Sequence, residues 1–327
     1  SARRSRLTLL SQRQEILREI RNDLYEQEFL EVQTPLLVPS TCPDLHIDSI
    51  VAEGGYLATS TEYQLKRLIV GGVEKVFTLT QNFRAGDLGK RHNPEFTMLE
   101  WARAFAPLSA IEEDVERFTR RAFLRLYPGA TELRYGSANI ELLKPWERLT
   151  VREALERYLG VVVASDFSLA SLKKGTARAG IEVPDFLSED AHSLTTYLLD
   201  RVQPHLGQRV PTFLRDWPAF MTSSAELRTN NPALAERSEL FIAGIEIADG
   251  FPSLRDADTQ AELFAREQSR RAALHKPEVV LDEKYLEALR QGIPPGAGMA
   301  LGVDRLVMVL TDQEDIRNVL AFAWDER

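Results

Sequence analysis

The sequence predicts an α+β fold in which an antiparallel sheet is flanked by helices and interrupted by a helical insertion. Strand-like alternation of apolar and polar residues occurs on both sides of the middle of the chain, in VFTLTQNFR and in ELFIAGIEIADGF. Between residues 108 and 205 helical periodicity takes over. We therefore predict a single domain over residues 1–327, with residues 108–205 as a mostly helical insertion within it.

The composition indicates a globular protein. The 327 residues carry a formal charge of −9, which argues against a surface built mainly for nucleic acid, because phosphate contacts need clustered Lys and Arg. A single cysteine, Cys42, excludes an intramolecular disulfide and a cysteine-based zinc site, and it favours a reducing compartment. No apolar run approaches the roughly 18 residues of a membrane span. We expect a cytoplasmic protein with no membrane contact.

The first part of the chain predicts two helices and an edge strand. Apolar residues recur at helical spacing from Leu9, and Ser11 with Gln14 fits a capping box at the start of this helix. In FLEVQTP the apolar residues alternate with polar ones until Pro35, which indicates an edge strand ended by proline. Residues 56–72 indicate a short strand, a Ser/Thr turn and a second helix.

The turn at Ser60 and Thr61 brings a carboxylate, Glu62, into the first turn of the second helix. A carboxylate at this place is favourable to the helix dipole. If the turn opens on a cleft, Glu62 could also bind the amine of a ligand.

A hairpin follows, and it is the most informative stretch of the sequence. In VFTLTQNFR the polar face ends at Arg84, which should point away from the core into a cleft. On the returning strand Phe96, Glu100 and Ala102 share a face with Met98. An aromatic and a carboxylate side by side fit ordinary sheet packing. With Arg84 and the basic loop of Lys90, Arg91 and His92, they also fit a site for a phosphate, a flat ring and an amine.

The middle of the chain predicts helices and no chemistry. Thr150 and Glu153 form a capping box at the start of a helix that should end at Gly160. Further helices are predicted over residues 169–180 and 189–206.

A second hairpin is predicted where two β-rich runs meet at Ala243 and Gly244. This register pairs Phe241 with Glu246 and brings Glu239 onto the same face as Glu246. Diagonal neighbours on a sheet lie roughly 7 to 8 Å apart, which suits two carboxylates that share a hydrated magnesium ion. Two exposed glutamates on a hairpin are the alternative.

The last segment, GAGMALGVDRLVMVL, predicts a glycine-spaced turn before an apolar helix. It lacks the strand-first βαβ unit of a dinucleotide loop, and the sequence contains no GxxxxGK[ST] phosphate loop. Arg305, at the start of the helix, could reach phosphates beside Arg84.

Three of these stretches together resemble the motifs of class II aminoacyl-tRNA synthetases. FLEVQTP resembles the first motif, a dimer-interface element, FRAGDLGKRHNPEFTMLEW the second and GMALGVDRLVMVL the third. HNPEFTMLE, PTF at residues 211–213 and EIADGF are similar to the lysyl type. Because the first motif begins near residue 29, without a preceding anticodon-reading domain, the chain further resembles the stand-alone elongation factor P β-lysine ligases (GenX/PoxA/EpmA type).

The resemblance implies a homodimeric enzyme that activates lysine or a β-lysine-like amino acid with ATP and Mg²⁺. The acceptor it implies is a lysine side chain of elongation factor P, with tRNA disfavoured. It implies catalytic roles for Arg84 and Arg305. The implied ATP contacts are Arg84, Asp87, His92, Asn93, Phe96, Glu239, Glu246, Ile247, Gly302 and Arg305, with Glu239 and Glu246 carrying magnesium. The implied amino-acid contacts are Ser60, Glu62, Arg84, Glu100, Ala102, Asp249 and Ser253.

Four positions depart from the family pattern. Ala102 stands where a tyrosine is expected, Asp249 replaces an asparagine and Ser253 replaces a glutamate. Gly86 replaces a glutamate of the second motif, and the neighbouring Asp87 could substitute for it. These changes leave two alternatives open: an aminoacyl ligase with a changed amino acid and another acceptor, tRNA or a small molecule, or a nucleotide-binding regulatory paralogue without turnover.

Overall fold

The computed structural model describes residues 2–326, so the two terminal residues of the predicted domain lie outside it. The helices are α1 (Ala2–Glu26), α2 (Glu62–Val70), α3 (Leu108–Leu126), α4 (Val151–Leu159), α5 (Leu169–Arg178), α6 (Ala191–Val202), α7 (Ala257–Ala273), α8 (Glu283–Gln291) and α9 (Val303–Leu310). The strands are β1 (Leu30–Glu31), β2 (Leu37–Val38), β3 (Val51–Ala52), β4 (Gly55–Leu57), β5 (Lys75–Phe83), β6 (Glu95–Ala104), β7 (Leu133–Tyr135), β8 (Ala138–Ile140), β9 (Glu147–Thr150), β10 (Thr212–Pro218), β11 (Leu227–Arg228), β12 (Asn231–Ile242), β13 (Ile245–Pro252) and β14 (Gly296–Gly302).

The fold is α+β, as predicted, and it is organised around one large sheet of order β1-β5-β6-β14-β13-β12-β10-β9, with β11 beside β12. Neighbours from β5 to β10 pair antiparallel. The two outer pairs, β1 with β5 and β9 with β10, are parallel, so the sheet is mixed rather than purely antiparallel. Strand β1 lies at an edge, as predicted for FLEVQTP, but it ends at Glu31, before Pro35 is reached, so proline does not end the strand.

The main core lies on the face of the sheet opposite the cleft described below. Its members include Ile16, Ile20 and Leu24 of α1, which repeat at helical spacing and are fully buried. They pack in one cluster with Phe77 of β5 and Trp101 of β6. Full burial of each such apolar side chain contributes about 1.5–3 kcal/mol, so this layer fixes the sheet on which the cleft is built.

The middle segment divides between two cores. Helix α3, at the start of the predicted insertion, packs in the main core through Ile111, Val115 and Phe118. From Leu149 onward, a second cluster gathers α4, α5, α6 and the adjoining strands. Three short strands, β7 to β9, also lie within residues 108–205. That residues 108–205 form a separate insertion stays a prediction. The helices of this segment that pack in the second cluster are α4, α5 and α6.

The two predicted capping boxes differ in outcome. Thr150 and Glu153 form the reciprocal box at the start of α4, which ends at Gly160 in the left-handed conformation (φ 68°). The box at Ser11 is wrong, because α1 already begins at Ala2 and the Ser11 hydroxyl donates to the Leu7 carbonyl at 3.0 Å. Inside a longer helix a serine bonds back to the preceding turn instead of capping a new one.

The predicted turn before α9 is also wrong. The glycine-spaced stretch forms strand β14 instead. Gly296 shows why glycine is needed in this strand. A Cβ at Gly296 would lie 2.3 Å from the carbonyl oxygen of Arg103 on β6. Among residues 2–326, no helix combines the length and the apolar content needed to span a membrane.

Candidate adenylation site

A cleft lies on one face of the sheet and crosses five strands. Thr78 of β5 pairs with Glu100 of β6, and Glu100 pairs in turn with Ala300 of β14. Ala300 pairs with Asp249 of β13, and Asp249 pairs with Glu239 of β12. Directly paired residues share a face of the sheet. The pairing therefore gathers polar side chains from distant parts of the chain on one surface.

Strand β14 contributes the small residues Gly298, Ala300 and Gly302 to this face, and they leave open space above the sheet. Above it lies a cavity of about 220 Å³. The residues predicted to contact the amino acid all line this one cavity: Ser60, Glu62, Arg84, Glu100, Ala102, Asp249 and Ser253. The structure thus brings the whole predicted set together, although their roles toward a substrate stay predictions.

Arg84 and Phe96 form a cation and ring pair at the end of the first hairpin. The Arg84 guanidinium lies over the Phe96 ring, 5.2 Å from its centroid. Its Nε is buried and has no hydrogen-bond partner among the described residues. A buried donor of this kind costs about 1–3 kcal/mol unless a ligand accepts from it. Arg84 is therefore suited to an anionic ligand.

The loop after Arg84 leads back to the sheet through His92 and Asn93. The Nη2 atom of Arg305 lies 2.7 Å from Nε2 of His92. Burial and the charge of Arg305 lower the pKa of His92, while Asp87 acts in the opposite direction. A neutral His92 can accept the hydrogen bond from Arg305.

Both polar atoms of the Asn93 side chain form hydrogen bonds within the protein. Its Nδ2 donates to the Glu95 carbonyl at 2.5 Å and its Oδ1 accepts from the Trp324 backbone amide at 3.2 Å. The side chain is buried, so it anchors the loop. As an ATP contact, Asn93 stays a prediction.

The second hairpin confirms the predicted turn and corrects the predicted diagonal. Ile242 pairs with Ile245 and Phe241 pairs with Glu246, as expected. The register then shifts, so that Glu239 lies opposite Asp249. The extra residue of this bulge, Ile247, buries its side chain in the main core, and its backbone alone remains for a ligand.

Arg237 ties together the carboxylates that the hairpin brings close. Its Nη2 donates to Oε1 of Glu239 at 2.7 Å, and its Nε donates to Oδ1 of Asp249 at 2.9 Å. The guanidinium also stacks on the Trp217 ring, 4.6 Å from its centroid. Burial raises the pKa of Glu239 and of Asp249, and the charge of Arg237 opposes both shifts. The charge of Asp249 is thus balanced inside the protein, which reduces the repulsion it would exert on a substrate carboxylate.

Glu246 and Arg305 lie beside this group. Arg305 donates from Nη1 to the Glu246 carbonyl at 3.1 Å and lies 3.4 Å from its Oε2. Gly302, at the end of β14 before Arg305, leaves space, since a Cβ there would meet the Arg305 side chain at 3.8 Å and the Ile247 carbonyl oxygen at 3.9 Å, both ordinary contacts. Among residues 2–326 no cluster of three or more His, Cys, Asp or Glu could by itself hold a metal. Two carboxylates fit Mg²⁺ when phosphate oxygens complete the ligand set.

Glu100 is held by the turn before α2. The carboxylate accepts from the Ser60 hydroxyl at 2.7 Å, from the Thr61 hydroxyl at 2.7 Å and from the Thr61 backbone amide at 3.0 Å. Burial raises its pKa, and these hydrogen bonds act against the rise. Glu62 is paired as well, one helical turn away, with the buried ammonium of Lys66.

Three residues of the site were not predicted: Thr61 as a partner of Glu100, Lys66 as a partner of Glu62, and Arg237. Two of them carry a signal in the sequence. Lys66 follows Glu62 at the i,i+4 spacing of helical ion pairs, and Arg237 precedes Glu239 by two residues on the same strand face. The contact of Thr61 with Glu100 joins positions 39 apart and leaves no local pattern.

One face of the mixed sheet carries an arginine–aromatic pair, a second arginine and an acidic hairpin. This combination is typical of a catalytic domain of the class II synthetase type. Residues 2–326 match the family of class II tRNA synthetases (D, K and N). The chain belongs to this family.

Curated relatives agree with the lysyl type. A lysine–tRNA ligase of Moorella thermoacetica is 36% identical over 95% of this chain and 64% of its own length. That of Chloroflexus aurantiacus is 36% identical over 98% of this chain and 65% of its own length. The heat-inducible lysine–tRNA ligase of Escherichia coli is 36% identical over 95% and 62%. The chain spans less than two thirds of the length of these relatives.

Proposed function

We propose that this protein adenylates an amino acid with ATP and transfers the aminoacyl group to a lysine side chain of elongation factor P. One observation carries the adenylation: Arg84, Phe96 and Arg305, with Glu239 and Glu246, converge on one face of the sheet beside a cavity of amino-acid size. In the first step the substrate carboxylate attacks the α-phosphorus and pyrophosphate leaves. In the second, the acceptor amine attacks the aminoacyl carbonyl and AMP leaves.

The roles follow from charge and position. Arg84 would donate its buried Nε toward the α-phosphate and offset the charge that develops there. Phe96 would stack on the adenine, Arg305 would bind the terminal phosphates, and His92 would orient Arg305. Glu239 and Glu246 would hold Mg²⁺, which supplies charge neutralisation on the phosphates. Positioning and electrostatics are sufficient for this chemistry, so no side-chain nucleophile is required.

Elongation factor P as the acceptor rests on the resemblance to the β-lysine ligases, and tRNA is the competing acceptor because the curated relatives are lysine–tRNA ligases. Incubation with ATP, the activated amino acid and elongation factor P should add one aminoacyl mass to that protein in intact-mass spectra. Charging of bulk tRNA without modification of elongation factor P would reject this acceptor.

The adenylation itself is tested by ATP–pyrophosphate exchange with a panel of amino acids. We expect exchange with the wild type and a loss of about 10²–10³-fold in Arg84→Ala, because a charge-stabilising donor is removed. Arg209→Ala is the matched control, since this arginine is exposed and pairs only with Glu141 in the described chain. Absence of exchange with every amino acid would favour a non-catalytic nucleotide-binding paralogue.

We also propose a homodimer formed through the first motif. Leu30 and Leu37 near the edge strand are each about half exposed, at 52% and 51%. Apolar residues on an open edge favour association. Sedimentation equilibrium should give twice the 37.0 kDa chain mass, and a monomer at micromolar concentration would reject the dimer.

A further inference from the structure

We propose that the pocket selects an amino acid with an uncharged side chain, and that Ser60 and Thr61 set this selectivity by occupying the carboxylate of Glu100. The inference rests on the proposed adenylation and deepens it by naming the class of amino acid. The inference identifies two hydroxyls that determine specificity, those of Ser60 and Thr61. Thr61 stands at the N-cap position of α2, but its side chain does not cap the helix.

Glu100 has little capacity left for a ligand. Its Oε1 accepts from the Ser60 hydroxyl and its Oε2 from the Thr61 hydroxyl, each at 2.7 Å, and the Thr61 amide donates to both oxygens at 3.1 and 3.0 Å. The residue is only 3% exposed. Ser60 is itself fixed, because its oxygen also accepts from the Glu62 amide at 3.1 Å. A substrate ammonium would have to displace these donors to pair with Glu100.

The other carboxylates that line the cavity have partners too. Glu62 pairs with Lys66, whose ammonium lies 5.3 Å from the Phe251 ring centroid and 3.4 Å from the Tyr285 hydroxyl. Asp249 receives two hydrogen bonds from Arg237.

The fourth carboxylate, Asp44, accepts from the His46 backbone amide at 2.7 Å in a local turn. The cavity therefore offers no carboxylate, within the described chain, that lacks a partner.

The remaining walls of the cavity are uncharged where the sheet and its neighbours face the ligand. Ala102, Phe251, Ser253 and Gly298 line it without a charge. Arg84 is the lining cation whose buried donor has no partner in the described chain, and it suits the carboxylate or phosphate end of the substrate. Every amino acid already brings an α-ammonium to this cavity. A second ammonium on the substrate side chain would lose water and compete for carboxylates that already have partners, whereas an uncharged side chain loses little.

Exchange assays with paired substrates test the selectivity. Norleucine, methionine and glutamine represent uncharged side chains, and lysine, ornithine and (R)-β-lysine carry an extra ammonium. We expect the best uncharged substrate to exceed the best cationic one at least about tenfold in kcat/KM, the loss that one unpaired polar group produces. A tenfold preference for any cationic amino acid would overturn the inference and leave the proposed adenylation intact.

The double variant Ser60→Ala/Thr61→Val tests the two hydroxyls. Freeing Glu100 should raise the ratio of lysine to norleucine kcat/KM by about tenfold. The matched control is Thr195→Val on α6, outside the lining of the cavity, whose hydroxyl donates to the Ala191 carbonyl at 2.7 Å, and it should leave the ratio unchanged. An unchanged ratio in a folded double variant would reject the role of the hydroxyls.

A binding measurement keeps the inference separate from turnover. Thermal shifts with the sulfamoyl-adenosine analogues of norleucine and lysine report side-chain preference even in a chain that does not exchange pyrophosphate. A larger stabilisation by the norleucine analogue supports the inference, and a larger stabilisation by the lysine analogue contradicts it. Failure of exchange with every amino acid would reject the proposed function alone.

Discussion

Cys42 is a residue whose chemistry is set by its surroundings. It lines the proposed amino-acid cavity as a half-buried residue, and its thiol lies near Asp44 and near Glu62 and Tyr63 of α2. Burial is the main cause that raises the pKa of the Cys42 thiol to about 12, and the charge of Asp44 adds to it. Only the thiolate is strongly nucleophilic, so the folded state should suppress its reactivity.

We therefore predict that Cys42 reacts with iodoacetamide at pH 8 at least about 100-fold more slowly in the folded protein than in the unfolded chain, where an ordinary thiol pKa of about 8.5 applies. Because this is the single cysteine of the sequence, intact-mass spectra report it directly. The rate should increase with pH through the alkaline range, as the thiolate fraction rises. Equal rates in the native and the denatured protein would contradict the burial of this thiol.

At the scale of elements, a buried carboxylate joins α3 to three strands. Glu112 is fully buried and accepts from Arg148 of β9 at 3.0 Å, from Arg215 of β10 at 2.6 Å and from Ser238 of β12 at 2.7 Å. Removing the carboxylate would leave Arg215 and Ser238 without this acceptor, whereas Arg148 would keep its pairing with Glu116 at 2.7 Å. The network connects the main core to the strands that carry the second cluster.

Glu112→Ala should lower the free energy of unfolding by about 3–5 kcal/mol, the cost of leaving buried charges unpaired. The neighbouring Glu113 is exposed, so Glu113→Ala should stay within about 0.5 kcal/mol of the wild type. Urea denaturation of the three proteins provides the measurement. Equal free energies of unfolding for the two variants would show that the network makes no net contribution to stability.

Elements whose determinants are local could be predicted from the sequence. The capping box at Thr150, the turn at Ala243 and Gly244, and the alternation that turns Arg84 toward the cleft all depend on neighbours within a few residues. The bulge at Ile247 could not be predicted, because the pairing register depends on how β13 fits between β12 and β14.

The same reason explains which parts of the site were missed. The residues of the cavity were recognised as a set, but the pairing of Glu100 with the turn at Thr61 requires that α2 be packed against β6. Such a contact is a property of the assembled fold and has no periodicity in the sequence. The charge balance in the pocket, on which the proposed substrate class rests, could therefore be read only from the structure.

At the scale of the whole molecule, the side of the cleft proposed to bind the nucleotide joins distant parts of the chain. The first hairpin contributes Arg84 and Phe96, while Arg305 comes from the start of α9 near the other end. The bonds of Arg305 to His92 and Glu246 connect the first hairpin to the second. A ligand that binds these residues together would stabilise the fold as a unit, since it binds the folded state alone.

We predict that ATP with Mg²⁺ raises the melting temperature by several degrees. At 100 times its Kd a ligand adds about 2.7 kcal/mol. Each kcal/mol raises the melting temperature by roughly 2–4 °C in domains of about 150–250 residues and by less, about 1–2 °C, in a chain of 327 residues. Arg305→Ala should lose most of this shift while melting within about 2 °C of the wild type without nucleotide, because its partners are partly exposed. Arg209→Ala, remote from the cleft, should keep the full shift. An unchanged shift in Arg305→Ala would exclude this arginine from the nucleotide site, and absence of any shift in the wild type would reject ATP as the ligand.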